Sequence, residues 1–330
     1  QTLWFIASVF VVFVLIVALI ISAVYRRKQR KINEYNEILE LKVKQRTAEI
    51  KKQNELIQEQ NTEIMKQNKH ISFQNEEIRG SIRYAGKIQT AALPETGIHS
   101  KYLSGFFIFY KPRDIVSGDF YWMTEAQEKH YVAAVDCTGH GVPGGFLSML
   151  GISFLNEIVK DLVKKKVDIK ASDILNTLRE KVIKTLSHHK DSETQDGMDM
   201  SLTIFDKKNM LLNFAGANNP AYIIRDNRLS KVDADRMPIG FNKKLNSIEF
   251  RNKFVKLKEG DTIYLFSDGY ADQFGGQYGK KFNSRRFREL LQHLQKFPMS
   301  QQQEVVDTIF HRWKRNHIQI DDILLIGMEI

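Results

Sequence analysis

The sequence predicts an α+β catalytic domain carried behind a membrane-spanning helix and a helical rod. Three observations predict it. An uncharged apolar run, Leu3–Val24, is followed at once by a basic block. A seven-residue repeat free of proline and glycine then extends from about Asn33 to Arg79. Beyond residue 100 the pattern breaks into short β-rich runs, tight turns and paired helical stretches. Runs of strands with intervening helix pairs suggest a layered α+β fold rather than a parallel βαβ sheet. A chain of 330 residues suits about two domains of roughly 150 residues each.

The apolar run comes first. Nearly every residue from Leu3 to Val24 is Val, Ile, Leu, Phe or Ala, and a helix needs about 20 such residues to cross a bilayer core. A cleaved signal peptide carries its basic residues ahead of the apolar stretch. Here Arg26-Arg27-Lys28-Gln29-Arg30-Lys31 come after it. Residues 1–25 therefore read as a membrane helix, and the basic flank places the chain beyond Arg26 in the cytoplasm. The chain opens at Gln1, hard against the span, so a sensor region is expected upstream. The same basic block takes up part of the formal net charge of +10. The remaining Lys and Arg are mixed with Asp and Glu, without an aromatic-interleaved stripe, so no nucleic-acid partner is expected. The single cysteine, Cys137, excludes an intrachain disulfide framework.

Residues 26–79 form the rod. Val43, Ile50, Ile57, Ile64, Ile71 and Ile78 recur every seven residues, and Asn54, Asn61, Asn68 and Asn75 keep the same period. A strict seven-residue repeat imposes a left-handed coiled coil. With isoleucine at d the asparagines occupy a, where one Asn fixes register at a cost in stability and four make a weak seam. The expectation is a parallel homodimeric linker that rearranges cheaply; a solvated single helix is the alternative. Gly80 should weaken the helix locally, and Ser81–Leu93 should resume it until Pro94, joining the rod to a domain of residues 80–330.

In that domain Gly105–Tyr110, Tyr131–Val135, Ser201–Phe205, Leu211–Ala215, Ala221–Arg225, Thr262–Phe266 and Ile323–Ile330 read as strands. Pro143–Lys164, Ala171–His188, Ser284–Gln295 and Gln301–Asn316 read as helices. Short turns at Asp206–Asn209, Asn218–Pro220 and Glu259-Gly260 are expected to close antiparallel hairpins. The acids stand out. Asp136 and Asp268 each end an apolar strand, Asp119 lies within Ser117-Gly118-Asp119-Phe120-Tyr121-Trp122, and Asp321-Asp322 open the last strand. Any one of them reads as a turn residue. Several on separate strands suggest a cluster of oxygen donors for a hard cation such as Mg²⁺ or Mn²⁺, whereas zinc would want His or Cys at close spacing.

Five motifs now stand in order: the Asp119 motif, Asp136-Cys137-Thr138-Gly139-His140-Gly141-Val142-Pro143-Gly144, Phe214-Ala215-Gly216-Ala217-Asn218-Asn219-Pro220, Ser267-Asp268-Gly269, and Asp321-Asp322-Ile323-Leu324-Leu325-Ile326. Together they resemble the SpoIIE-like phosphatases, the bacterial branch of the PPM (type 2C) protein phosphatases, over roughly residues 81–330. The resemblance implies an αββα sandwich, two antiparallel sheets flanked by helices, with two Mn²⁺ or Mg²⁺ ions at one end. It implies that Asp136 bridges the ions, that Asp119 and the backbone carbonyl of Cys137 serve one side, and that Asp268 serves the other. For the final ligand it implies Asp321, with Asp322 next in line; the doublet leaves the choice open by one residue. The implied activity is hydrolysis of phosphoserine or phosphothreonine on a regulatory phosphoprotein of the anti-anti-sigma type. The implied setting is a bacterial cytoplasmic (inner) membrane, entered through residues 3–24, with Ser81–Leu93 as a regulatory helix set by the rod.

His140 is the candidate general acid; because its spacing from Asp136 is longer than in animal-type relatives, loop packing or substrate contact is the other reading. Arg113 reads as a surface arginine rather than a phosphate ligand. Asp196 and Asp199 read as a turn rather than a third metal site, and His188-His189 as an exposed loop. Gly139, Gly141, Gly144 and Gly145 are expected to let backbone approach closely around the metals. Two rivals remain: a phosphatase fold kept as an inactive scaffold, and a metal-dependent nucleotide cyclase, for which no G-G-D-E-F-like motif is present. A histidine kinase is disfavoured, since no ATP-binding glycine box is recognisable.

Overall fold

The computed structural model describes residues 2–95, 103–186, 196–242 and 248–330. His188 and His189 lie outside these residues. Two compact units are present, one ending at Glu77 and one spanning Ile78–Ile330.

The first unit is helix throughout, part of an uninterrupted α1 (Thr2–Ala92). Its N-terminal stretch is long and apolar enough to cross a membrane, and its apolar side chains there are exposed. Gly80, expected to weaken the helix locally, does not break α1. One glycine costs only about 1 kcal/mol relative to alanine, too little to interrupt a helix with good formers on both sides. Pro94 is what stops it, one residue after Leu93 N–H closes on the carbonyls of Gln89 and Thr90.

In the second unit the chain runs β1 (Gly105–Lys111), β2 (Phe120–Ala126), β3 (Lys129–Cys137), α2 (Gly141–Lys164), α3 (Ala171–Leu186), β4 (Gly197–Asp206), β5 (Leu211–Ala217), β6 (Ala221–Arg225) and β7 (Arg228–Val232). It continues through β8 (Ile239–Gly240), β9 (Lys253–Lys256), β10 (Thr262–Phe266), α4 (Gly269–Asp272), β11 (Phe274–Gly275), β12 (Lys280–Lys281), α5 (Asn283–Leu294), α6 (Met299–Lys314) and β13 (Ile323–Glu329). One antiparallel sheet has the order β1-β13-β10-β6-β7, the other β2-β3-β4-β5-β9 with β8 added to β4; β11 and β12 pair separately.

Strand alternation sorts the side chains into layers. On β3, Val132 and Ala134 join a core shared with Ile263, Leu265, Leu324 and Ile326 of the other sheet. Tyr131, Ala133 and Val135 join a second core with α2 and α3. Ile323 and Leu325 of β13 pack into a third, with Phe287 and Leu291 of α5 and Phe310 of α6. Helices, sheet, sheet, helices: this is the αββα sandwich. α2 is also long and apolar, but half of its apolar window is buried as one wall of the second core.

Two expected hairpins are absent. Asp206–Asn209 does close one, between β4 and β5. Asn218–Pro220 and Glu259-Gly260 instead carry the chain from one sheet to the other, since β6 and β10 pair with each other and not with β5 or β9. Pro220 has no N–H to give a ladder, and Asn218 turns its own N–H to the Asp235 carbonyl at 2.8 Å. A tight connection marks a reversal of the chain without saying which strand it returns to.

Candidate metal centre

The same alternation aims the acids. Asp136 follows Val132 and Ala134 in phase, Asp322 precedes Leu324 and Ile326, and Ser267 follows Ile263 and Leu265. Asp119 sits directly before β2, whose Phe120 pairs with Val135. All four positions therefore fall at one end of the layer between the sheets. There Ser267 Oγ donates to Asp119 Oδ2 at 2.5 Å, joining the two sheets by a side-chain bond, and Leu324 N–H donates to Ser267 Oγ at 2.9 Å.

The charges strain against one another. Burial, then the neighbouring Asp136, holds the Asp119 carboxyl well above the usual range, against a hydrogen bond from Ser267 that favours its anion. Asp136 is raised likewise, by burial first and then by Asp268, Asp321 and Asp199, while the backbone amide of Asp268 bonds to it. Asp268 keeps much of its surface open to solvent, yet partial desolvation and then Asp321 push it up to about 6. Desolvation and Asp322 also raise Asp321. Like charges that stabilise one another's protonated forms make a site that gains from a cation.

The final doublet divides its work. Asp322 is 2% exposed, and its two oxygens accept from the N–H groups of Arg113 and Gly118, both at 2.7 Å. It fastens the loop before Asp119 to the start of β13. Asp321 is half-buried, and its carboxylate accepts from the Asp322 N–H at 2.9 Å.

Backbone segments press together around Asp119. A Cβ on Gly118 would stand 2.5 Å from the Gly139 carbonyl and 3.1 Å from that of Cys137, and one on Gly144 would stand 2.2 Å from Gly139 O. Only glycine permits this approach. The Cys137 carbonyl thus faces the Asp119 loop. Its thiol is buried, and burial first, with Asp136 and Asp119 next, pushes the pKa well up, so it is no nucleophile at neutral pH.

His140 is exposed, with Nδ1 3.1 Å from Asp114 Oδ2. Arg113 reaches the Ile320 carbonyl at 2.9 Å and lies beside Asp114, fastening the loop while its charge lowers the pKa of the Asp321 carboxyl against burial and Asp322, which raise it. Asp196 and Asp199 do not share a turn. β4 begins at Gly197, so Asp199 lies within a strand, paired in register with Asp136 and bonded by Asn218 at 2.8 Å.

Sequence reasoning also missed Gln89. It is buried at the end of α1, where its Nε2 donates to Ser117 O at 2.6 Å and Ser148 Oγ at 2.7 Å while its Oε1 accepts from Ser117 N–H at 3.0 Å. One amide thus grips the residue two before Asp119 and the first turns of α2. Among the described residues no three His, Cys, Asp or Glu side chains are grouped closely enough to enclose an ion. The donor set of the acids, all oxygen and short of compensating charge, fits a hard divalent cation.

The family model for stage II sporulation protein E (SpoIIE) matches residues 127–330. The chain belongs to the SpoIIE family. Its second unit is similar to the SiaA-PP2C domain of Pseudomonas aeruginosa, with 31% identity and a TM-score of 0.69 over 78% of this chain and 98% of that one. The PP2C phosphatase domain of SpoIIE from Bacillus subtilis, with a fragment of its regulatory domain, shares the fold at 21% identity and a TM-score of 0.55, over 68% of this chain and 63% of that one. A Mycobacterium tuberculosis protein with RsbU and RsbW domains does so at 16% identity and 0.54, over 69% and 60%. No curated protein shows significant similarity to the chain. The second unit of this SpoIIE-family chain is therefore a PP2C-type phosphatase domain.

Proposed function

We propose that this SpoIIE-family chain is an active, membrane-tethered protein phosphatase that hydrolyses phosphoserine or phosphothreonine on a regulatory protein of the anti-anti-sigma type. One observation carries the reading: acids from separate strands and loops meet at one end of the inter-sheet layer with their proton affinities raised by burial and by one another. We assign Asp119, Asp136, Asp268, Asp321 and the Cys137 carbonyl to two Mn²⁺ or Mg²⁺ ions. Asp322 is left out because both its oxygens are taken by backbone amides. When bound, such ions polarise phosphoryl oxygens and make water more acidic. The chain's own part is to hold the donors in place: Ser267 fixes Asp119, Asn218 fixes Asp199 beside Asp136, and Asp322 pins the loop that carries Asp119. Asp114 orients His140 through Nδ1, leaving Nε2 to give a proton to the leaving serine or threonine oxygen.

The rival reading is a phosphatase fold kept as an inactive scaffold. Purified protein with Mn²⁺ and p-nitrophenyl phosphate separates the two. Turnover is expected, and Asp136→Asn should lower it by about 10³-fold or more. Wild-type protein inert with both metals leaves the scaffold, and an active Asp136→Asn refutes the ligand assignment.

Ahead of the catalytic unit, we propose that residues 3–24 anchor the chain in a bacterial cytoplasmic membrane, with the phosphatase in the cytoplasm. The heptads of residues 33–79 then pair two copies in parallel, and a monomer in analytical ultracentrifugation would count against this. Rod register acts on the centre through Ser81–Leu93 and the grip of Gln89 on Ser117. Deleting residues 1–78 with no change in activity or metal affinity would remove this control.

A further inference from the structure

Two of the acid-bearing segments lead into one shared rim. Asp268 runs through α4 into the β11–β12 hairpin, and residues 315–320 run directly into Asp321. The two are sewn together. Gly276 N–H donates to Trp313 O at 2.8 Å, Trp313 Nε1 to Gln273 O at 3.0 Å, and Gln273 Nε2 to Ile318 O at 2.9 Å. At the hairpin tip a Cβ on Gly279 would lie 3.4 Å from the His317 ring. The turn on the other side is equally built. Arg315 takes φ +50°, with its N–H on His311 O at 3.0 Å, and Lys314 Nζ bonds His317 O at 2.9 Å. A non-glycine residue holds such a backbone only when its surroundings over-determine it.

The face this rim shows to solvent is unlike the centre it borders. Tyr278 is 79% exposed and Ile318 is 78% exposed, two apolar side chains on the two halves of a fixed surface. Lys280, Lys281, Arg315 and His317 are exposed around them. Asp272 is the acid here, and it is bonded to Lys281 at 2.7 Å. Aromatic or aliphatic anchors within a charged border are the usual composition of a protein-docking patch. A basic border attracts and selects an acidic partner.

We propose that this rim docks the protein substrate, and that it selects a phosphorylated residue flanked by acidic side chains with one apolar side chain nearby. The proposal rests on the phosphatase reading and adds the chemistry of the substrate. Tyr278 and Ile318 seat the apolar residue, and Lys280 and Arg315 meet the flanking carboxylates.

The test uses the full chain in detergent and three probes: a phosphoserine peptide flanked by glutamates and a leucine, the same peptide flanked by lysines, and p-nitrophenyl phosphate. The acidic peptide should be the better substrate in kcat/KM by about tenfold, through KM, and the preference should shrink as salt rises. Tyr278→Ala with Lys280→Glu should abolish the preference, and Ile318→Ser should weaken it, with p-nitrophenyl phosphate turnover within about twofold of wild type. That turnover also reports that the variants are folded. Equal use of the two peptides, or a preference that survives the double variant, overturns the docking surface. So does loss of binding to phosphatidylserine vesicles in the double variant with peptide preference intact, which would assign the rim to the membrane. A chain that hydrolyses none of the three probes instead sinks the phosphatase reading on which the rim depends.

Discussion

Replacing Gln89 with alanine removes three short hydrogen bonds from a buried place, and the structure sets what each loss costs. Ser148 Oγ keeps a bond to Gly145 O at 2.8 Å, so it is not orphaned. Ser117 loses the partner of its N–H and the partner of its carbonyl at once. A buried polar group left unsatisfied costs about 1–3 kcal/mol, so the pair costs about 2–6. At about 3 kcal/mol, opening of the Ser117–Asp119 loop becomes more than a hundredfold more frequent. Gly118 should feel this too, because its N–H is the one Asp322 holds. Hydrogen–deuterium exchange at Ser117 and Gly118 measures the opening, and Mn²⁺ titration measures its effect on the acids. Gln89→Glu should behave as badly, since it turns a buried carboxylate oxygen toward Ser117 O. Lys87→Ala, on an exposed neighbouring position, should do nothing. Unchanged exchange at Ser117 and Gly118 in Gln89→Ala would refute the idea that this amide holds the loop.

The acids give three further outcomes. Asp119, Asp136 and Asp268 have folded-state pKa values above their unfolded ones, so between about pH 4 and pH 6 and beyond the folded state holds more protons. Metal-free protein should therefore lose stability as pH rises through that window, with a higher Tm at pH 5 than at pH 8 and the difference removed by saturating Mn²⁺; a metal-free Tm that climbs with pH contradicts the mutual repulsion. Asp322→Ala should cost about 1–4 kcal/mol by orphaning the buried Gly118 amide and the part-buried Arg113 amide, whereas Asp321→Asn should leave stability within about 1 kcal/mol and weaken metal binding. Melting curves and metal titrations that swap these two phenotypes would reverse the assignment. His140→Ala should lower kcat by about 10²-fold; full turnover at neutral pH would end its role as proton donor.

How much of the fold and the centre is legible in the sequence varies with the kind of residue. Ala221–Arg225 and Thr262–Phe266 are continuous apolar runs bounded by turn residues, and they form strands with those bounds. β2 escapes notice because Phe120-Tyr121-Trp122 gives way to Thr124-Glu125, and the strand is held by pairing with β3 rather than by its own pattern. β7 and β9 are edge strands with lysines and arginines, recognisable only through their partners. Asp196-Gly197 reads locally as a turn, yet Gly197 opens β4 and brings Asp199 opposite Asp136. Gln89 is the least visible of all. In a helix rich in Gln and Asn, the one glutamine that is buried looks like those that are solvated, because only tertiary packing distinguishes it.

The position of β13 carries a consequence for how the domain is made. It lies between β1 and β10, and its register with β1 joins Gly105 to Glu329. One sheet therefore cannot be assembled outward from local hairpins. Its first strand must wait for a segment more than 200 residues further along, the kind of distant pairing that slows folding. The other sheet and its helices draw on residues 120–256 and can form sooner. Asp321 arrives only with β13, so a nascent or nicked chain holds Asp119 and Asp136 without their last companion. On the proposed ligand assignment, slow closure delays activity until the whole sandwich is shut.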